Sequence, residues 1–276
     1  MAIKVYKRNT AARRNMSIIK PDQVTDKEPE KNLIVGLKKR AGRSNGKIAV
    51  RHKGGGHKRR YRMVDFKQQK FGVPGRIHAI ERDPNRSALI ALVYYKDGAK
   101  SYVLATEKMR VDQEIVSAEN APIEEGNRTK MGNIPTGTIV SNVELLAGKG
   151  GQLARSAGSG ASVMSTDGDM THLKLMSGEI RLISNECYAT IGQVSKFEHN
   201  ARRIGKAGRA RHMGRRPAVR GSAMNPVDHP HGGGEGCQPI GLKYPKTPWG
   251  RPALGVRTRR KGKQSDQYVV KSRHKK

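Results

Sequence analysis

From residue 75 onward, apolar positions recur with period two or gather in short runs. "RIHAIERD" (76–83) sets Ile77, Ala79 and Ile80 among polar neighbours. "SALIALVYY" (87–95) is a short apolar run rich in β-formers, and "KSYVLAT" (100–106) follows it. These are the lengths and compositions of strands. Asp97-Gly98 lies between the last two, where glycine supplies the positive φ of a tight hairpin turn. Further on, "TGTIVSNVELL" (136–146) predicts a strand and "GKGG" (148–151) a turn. "ASVMS" (161–165) and "THLKLM" (171–176) flank "DGD"; Ser177-Gly178 precedes "EIRLIS" (179–184), and "CYATIGQVS" (187–195) closes the series. No stretch carries a long apolar stripe of helical period. The predicted class is mainly β, with short strands and glycine turns forming small sandwiches or barrels. A break near Glu125-Gly126 divides a module at 61–125 from one at 126–195.

Charge changes this picture outside the β region. The chain of 276 residues holds 55 Lys plus Arg against 23 Asp plus Glu, a formal net charge of +32. By segment the net charge is +14 over 1–60, 0 over 61–125, +1 over 126–195 and +17 over 196–276. The neutral middle can collapse around a core. The ends, charged, rich in glycine and poor in large apolar residues, are expected to be irregular extensions that order on a partner. So basic a chain repels itself unless a polyanion neutralises it, and nucleic acid is the usual one. An anionic membrane surface is the second choice and is not the expected partner; no apolar run is long enough to span a bilayer. The start, "MAIKVYKRNTAARRN", lacks the apolar region of a secretory signal. Two cysteines, Cys187 and Cys237, make no disulfide framework and fit a reducing compartment. Aromatic residues are only 4%, which argues against base stacking on an aromatic sheet face and for backbone recognition by Arg, Lys and main-chain N–H groups.

Three motifs carry candidate chemistry. "HKGGGHKRRYR" (52–62) joins Gly54, Gly55 and Gly56 to His57, Lys58, Arg59 and Arg60. Glycines let a main chain lie against a phosphate backbone, and the basic residues neutralise it. No Gly-Lys-Ser/Thr ending follows, so this is no nucleotide phosphate loop. "GKAGRARHMGRRPAVRG" (205–221) spaces Arg209, Arg211, Arg215, Arg216 and Arg220 among Gly and Pro, where guanidinium forks can hold phosphates. "NPVDHPHGGGEG" (225–236) sets Asn225, Asp228, His229 and His231 before Gly232, Gly233 and Gly234. Three readings compete for it. An Asp228–His229 catalytic dyad asks adjacent residues for a geometry they rarely present. A zinc site from His229, His231 and Cys237 lacks paired-ligand spacing. A loop stiffened by Pro226 and Pro230, close-fitting through its glycines and packed into folded RNA, uses every residue and leads. The sequence does not fix the charge of His229, because nearby cations lower its pKa and phosphates raise it. Cys187 is expected in a strand core, and Trp249, in "KTPWGRP", as a packing or stacking anchor.

"GRRPAVRGSAMNPVDHPHGGGEG" and "TPWGRP" resemble the signature of the ribosomal protein L-two family of the large subunit, bacterial type. "RHKGGGHKRRYR", "AIERDPNRSALIALVYYKDG" and "GNIPTGTIVSNVEL" resemble its other segments, in the same order. The chain departs from the family pattern at His212, where an aromatic is common, and at Cys237, where Arg or Lys is. The resemblance implies two small adjacent barrels, OB-like then SH3-like, with long basic, glycine-rich N- and C-terminal extensions (1–60 and 196–276) that penetrate large-subunit (23S-type) ribosomal RNA. It implies a structural, non-enzymatic role supporting the peptidyl-transferase region, subunit association and tRNA placement. Implied partners are that RNA, other large-subunit proteins and the small subunit at an intersubunit contact, in a cytoplasmic or organellar ribosome. No cofactor is expected beyond magnesium associated with the RNA, and no zinc. The RNA-contact positions carried over are Gly54 to Arg59, Arg215, Arg216, Arg220 and Asn225 to Gly236, with Arg60, Arg209, Arg211 and Trp249 added from the basic context.

Overall fold

The computed structural model describes residues 2–20, 23–37 and 42–274. Two compact units result: one from Met1–Lys38, Lys58–Ala207 and Gln267–Lys276, the other from Lys39–His57 and Gly208–Asp266. Near the N-terminus, β1 (Ala2–Val5) and β2 (Ser17–Lys20) form an antiparallel pair. β3 (Ile34–Gly36) is followed by a minimal hairpin of β4 (Arg43–Ser44) and β5 (Lys47–Ile48), and β6 (Arg60–Arg62) returns to pair with β3. The basic N-terminal segment thus contains short strands where irregular chain was expected.

The first β module is a four-stranded antiparallel sheet of β7 (Gly75–Arg82), β8 (Leu89–Tyr95), β9 (Lys100–Leu104) and β10 (Glu114–Ile115), in the order β10-β7-β8-β9. Its apolar run is buried on both faces. Ile77, Ile80, Leu89, Ala91, Val93 and Val103 pack on one side, and Ala79, Ile90, Leu92 and Tyr102 on the other. Strict alternation would put Ile77 and Ala79 on one face. A β-bulge between them shifts the register, from Ile77↔Val93 to Ala79↔Leu92, and gives each its own core. The predicted hairpin joins β8 to β9, with Gly98 at φ 82° donating its N–H to the Tyr95 carbonyl at 2.9 Å.

The second module is a curled seven-stranded sheet. In chain order its strands are β11 (Arg128–Lys130), β12 (Ile139–Ser141), β13 (Ala161–Asp167), β14 (Met170–Leu175), β15 (Ile180–Ser184), β16 (Tyr188–Ile191) and β17 (Val269–Lys271). In space they run β11-β16-β12-β13-β14-β15-β17. Both sheets bear out the mainly β class with OB-like and SH3-like modules. Two differences stand out. The strand expected over 136–146 shrinks to three residues, because Asn142 takes φ 48° and turns the chain. The C-terminal end returns to the sheet, with β17 pairing against β15 at its edge.

A polar staple sits in this module. Arg128 and Glu144 are buried and paired at 3.0 Å. Arg128 also donates to the Asn142 carbonyl, and Glu144 accepts the N–H groups of Gly148, Gly150 and Tyr188. Cys187 is fully buried immediately before β16, and burial pushes its thiol up to about 11. The two modules share a small core of Ala88, Leu104 and Val194. Across it Ser195 Oγ accepts the Leu89 N–H at 3.0 Å.

Candidate nucleic-acid interface

Two basic motifs far apart in sequence meet in the smaller unit. Lys53 bridges Arg215 in antiparallel register. The Gly54 N–H donates to the Gly214 carbonyl (3.1 Å), the His57 N–H to the His212 carbonyl (2.9 Å) and the Arg216 N–H to the His52 carbonyl (3.1 Å). Gly56, at φ 83°, explains the glycine run: a Cβ there would lie 2.7 Å from Gly214 N and 2.8 Å from His212 O. The close approach foreseen toward RNA is, at Gly56, an approach to the chain's own backbone. Gly55 faces open space. His57 and Lys58 are exposed and Arg59 half-buried, while Arg60 opens β6 with its carbonyl accepting from Asn85 Nδ2.

A six-residue helix, α1 (Ala207–His212), carries Arg209 and Arg211 and ends where Gly214 takes φ 89°. Arg211, Arg215, Arg216 and Arg220 are exposed, and Arg209 is half-buried. The loop that follows folds upon itself. The Asn225 carbonyl accepts the N–H groups of Asp228 (3.0 Å) and His229 (3.2 Å), and the Gly233 N–H closes onto the Met224 carbonyl (3.1 Å). Here too the glycines make room for the chain. A Cβ on Gly232 would lie 2.3 Å from Asn225 O, one on Gly233 2.8 Å from Pro226, and one on Gly234 2.6 Å from Gln238.

His229 is the only buried residue among the described residues of this unit, at 7% exposure. Its ring rests against Gly221, where an added Cβ would come within 2.5 Å of the imidazole. Its Nδ1 accepts the His231 backbone N–H at 3.0 Å, and His231 Nε2 in turn accepts the Lys246 N–H at 2.8 Å. The two rings lie 4.7 Å apart. Loss of solvent lowers the His229 pKa, and His231 and Arg51 lower it further. Asp228 is exposed, and the nitrogen that a dyad carboxylate would orient is taken by the His231 N–H. Cys237 is exposed, and no three His, Cys, Asp or Glu among the described residues gather to hold a metal. Trp249 is 75% exposed, so it anchors no packing of its own unit.

Residues 30–117 match the family model described as Ribosomal Proteins L2, RNA binding N-terminal domain, and residues 124–250 match Ribosomal Proteins L2, C-terminal domain. The chain belongs to the ribosomal protein L2 family. It is a structural, RNA-binding component of the large ribosomal subunit, not an enzyme. The N-terminal match takes in Gly54 to Arg60, and the C-terminal match takes in every other candidate position, Arg209 to Trp249. The L2 fold also contains a basic cleft that the motifs did not disclose. The guanidinium groups of Arg86 and Arg155 lie over the Phe66 ring, 5.5 and 4.6 Å from its centre. Beside it, Lys67, Lys149 and Arg155 line a cleft of about 450 Å³. Isolated cations between strands give no sequence signal; only folding gathers them.

Proposed function

We propose that this L2-family protein contacts 23S-type ribosomal RNA mainly through the unit of 39–57 and 208–266, and through it supports the peptidyl-transferase region, subunit association and tRNA placement. Its other contacts are neighbouring large-subunit proteins and the small subunit, in a cytoplasmic ribosome, and the only metal it meets is magnesium held by the RNA. The RNA-facing groups are Arg211, Arg215, Arg216, Arg220 and the basic residues of 57–60, with the cleft at Lys67 and Arg155 as a second contact. Exposed guanidinium groups on a folded backbone suit phosphate recognition.

His229 is architecture in this reading. The observation that carries it is burial: in a unit almost without an apolar interior, the one enclosed side chain among the described residues is an imidazole with Nδ1 already engaged. A general base must instead reach the proton it removes. His229→Asn keeps an acceptor at the reach of Nδ1, and large subunits carrying it should retain single-turnover peptidyl transfer. His229→Ala removes the acceptor and should impair assembly of the particle. Full assembly of the Asn variant with a large loss of the chemical step, matched by an imidazole-like pH profile in the wild type, would overturn the architectural reading.

A further inference from the structure

Trp249 is the only tryptophan in the chain, and its indole stands in solvent at 75% exposure. A side chain with that much apolar surface, left uncovered by its own fold, is available to a partner. Its support is a hydrogen-bonded turn on a short hairpin. Thr247 to Gly250 form a tight turn in which the Gly250 N–H donates to the Thr247 carbonyl at 2.9 Å. Pro248 presets the second position of that turn, and Gly250, at φ 77°, fills the fourth. Beneath the turn the chain closes as a hairpin. Lys246 bridges Pro252, the Thr247 N–H donates to the Arg251 carbonyl at 2.7 Å, and the Ala253 N–H donates to the Pro245 carbonyl at 2.8 Å. Arg251 N–H also meets Thr247 Oγ1 at 3.2 Å.

The base of the hairpin is fastened to the buried histidine. Lys246 donates its N–H to His231 Nε2, and the His231 N–H donates to His229 Nδ1. Two successive backbone-to-imidazole bonds thus lead from the enclosed ring to the exposed indole. The surroundings select the partner. Residues 237–263 contain eight Lys or Arg and no Asp or Glu. An aromatic face among cations is the design of a base-stacking platform, whereas an apolar protein pocket closing over the indole would have to desolvate those charges.

We propose that Trp249 is a base-stacking wedge. The hairpin Pro245 to Ala253 presents its indole to an unpaired base of large-subunit ribosomal RNA, and His231 is the positioning residue that fixes the hairpin on the His229 loop. This rests on the reading of the same unit as RNA-contacting. The test separates the two, because binding and indole environment are measured independently. The full chain is titrated with large-subunit ribosomal RNA while complex formation is followed by filter retention and the single indole by its fluorescence. Emission should be quenched in step with binding, and the quench per bound molecule should persist as salt rises. Trp249→Phe should bind nearly as wild type, and Trp249→Ala should lose about tenfold in affinity, the scale of one stacked base. His231→Gln, which keeps an acceptor near the position of Nε2, should preserve the quench, and His231→Ala should reduce it even where binding survives. Binding with unchanged emission, or Trp249→Ala binding as tightly as wild type, refutes the wedge while leaving RNA binding intact. Quenching by large-subunit proteins and not by RNA refutes it in favour of a protein partner. Failure of the wild-type chain to bind the RNA removes the underlying reading and the wedge together.

Discussion

An imidazole can be enclosed among polar backbone only if its ring nitrogens suit their neighbours. At His229 the His231 N–H points at Nδ1, so the neutral ring with its proton on Nε2 fits, and a protonated ring would set N–H against N–H. The lowered pKa has the same origin as the fit: little water, with His231 and Arg51 nearby. The sign of the pH effect follows. The unfolded chain takes up the proton more readily than the folded one. The stability that His229 contributes is therefore complete above the ordinary imidazole value of about 6.5, falls as pH drops toward the depressed folded value, and is constant below that. In an NMR titration of the free chain the His229 ring should titrate below the ordinary imidazole value. His229→Asn should remove its share of the acid destabilisation. A His229 ring that titrates at or above the ordinary value would break this account. At this scale the sequence was half legible. Asp228, His229 and His231 stood out by residue type. That His229 faces Gly221 and His231 receives Lys246 did not, because both contacts depend on how the loop closes.

Elements were more legible than single contacts. Hydrophobic period and glycine placement located the strands around 77–104 and 161–191, since a buried sheet face must be apolar whatever its partner. They failed where backbone geometry or distant pairing decides. Asn142 at positive φ cut β12 short, and β17 has only two apolar residues of its own to announce it. The Arg128–Glu144 pair was equally hidden, since "GNRTK" looks like surface until Glu144 meets it. Burial makes this pair consequential. Glu144→Ala leaves a buried guanidinium unpaired and strands the N–H groups of Gly148, Gly150 and Tyr188. It should cost about 3–5 kcal/mol, measured by urea denaturation, and hydrogen exchange should accelerate first at Gly148 and Gly150. A loss below about 1 kcal/mol would place the pair among weak surface bridges.

For the whole molecule, the charge profile separates what folds by burying apolar surface from what folds by other means. Among the described residues, every buried member of the four apolar clusters lies in the neutral 61–195 region, with Val24 and Leu33 of the N-terminal stretch packed against two of them. The unit of 39–57 and 208–266 has almost no enclosed side chain, and its two segments associate through main-chain hydrogen bonds and glycine contacts. Hydropathy cannot foretell such an association, so the N- and C-terminal basic stretches looked like separate extensions. In the proposed reading, RNA phosphate neutralises the charge of this unit. That neutralisation is measurable as counterion release. The logarithm of RNA affinity should fall with the logarithm of salt by about 0.7–0.9 for each phosphate neutralised. Arg215 and Arg216 are exposed beside the Lys53 bridge, and their side chains are free to turn outward while their backbone holds the unit together. Replacing both with Gln keeps that backbone and removes two charges. The slope should then flatten by about 1.4–1.8, whereas Trp249→Ala should weaken binding without changing the slope, because stacking releases no counterions. Filter binding of the full chain across a salt series measures both. An unchanged slope in the double Gln variant would mean that these guanidinium groups meet water or protein, and the phosphate-contacting surface would then have to lie elsewhere on the chain.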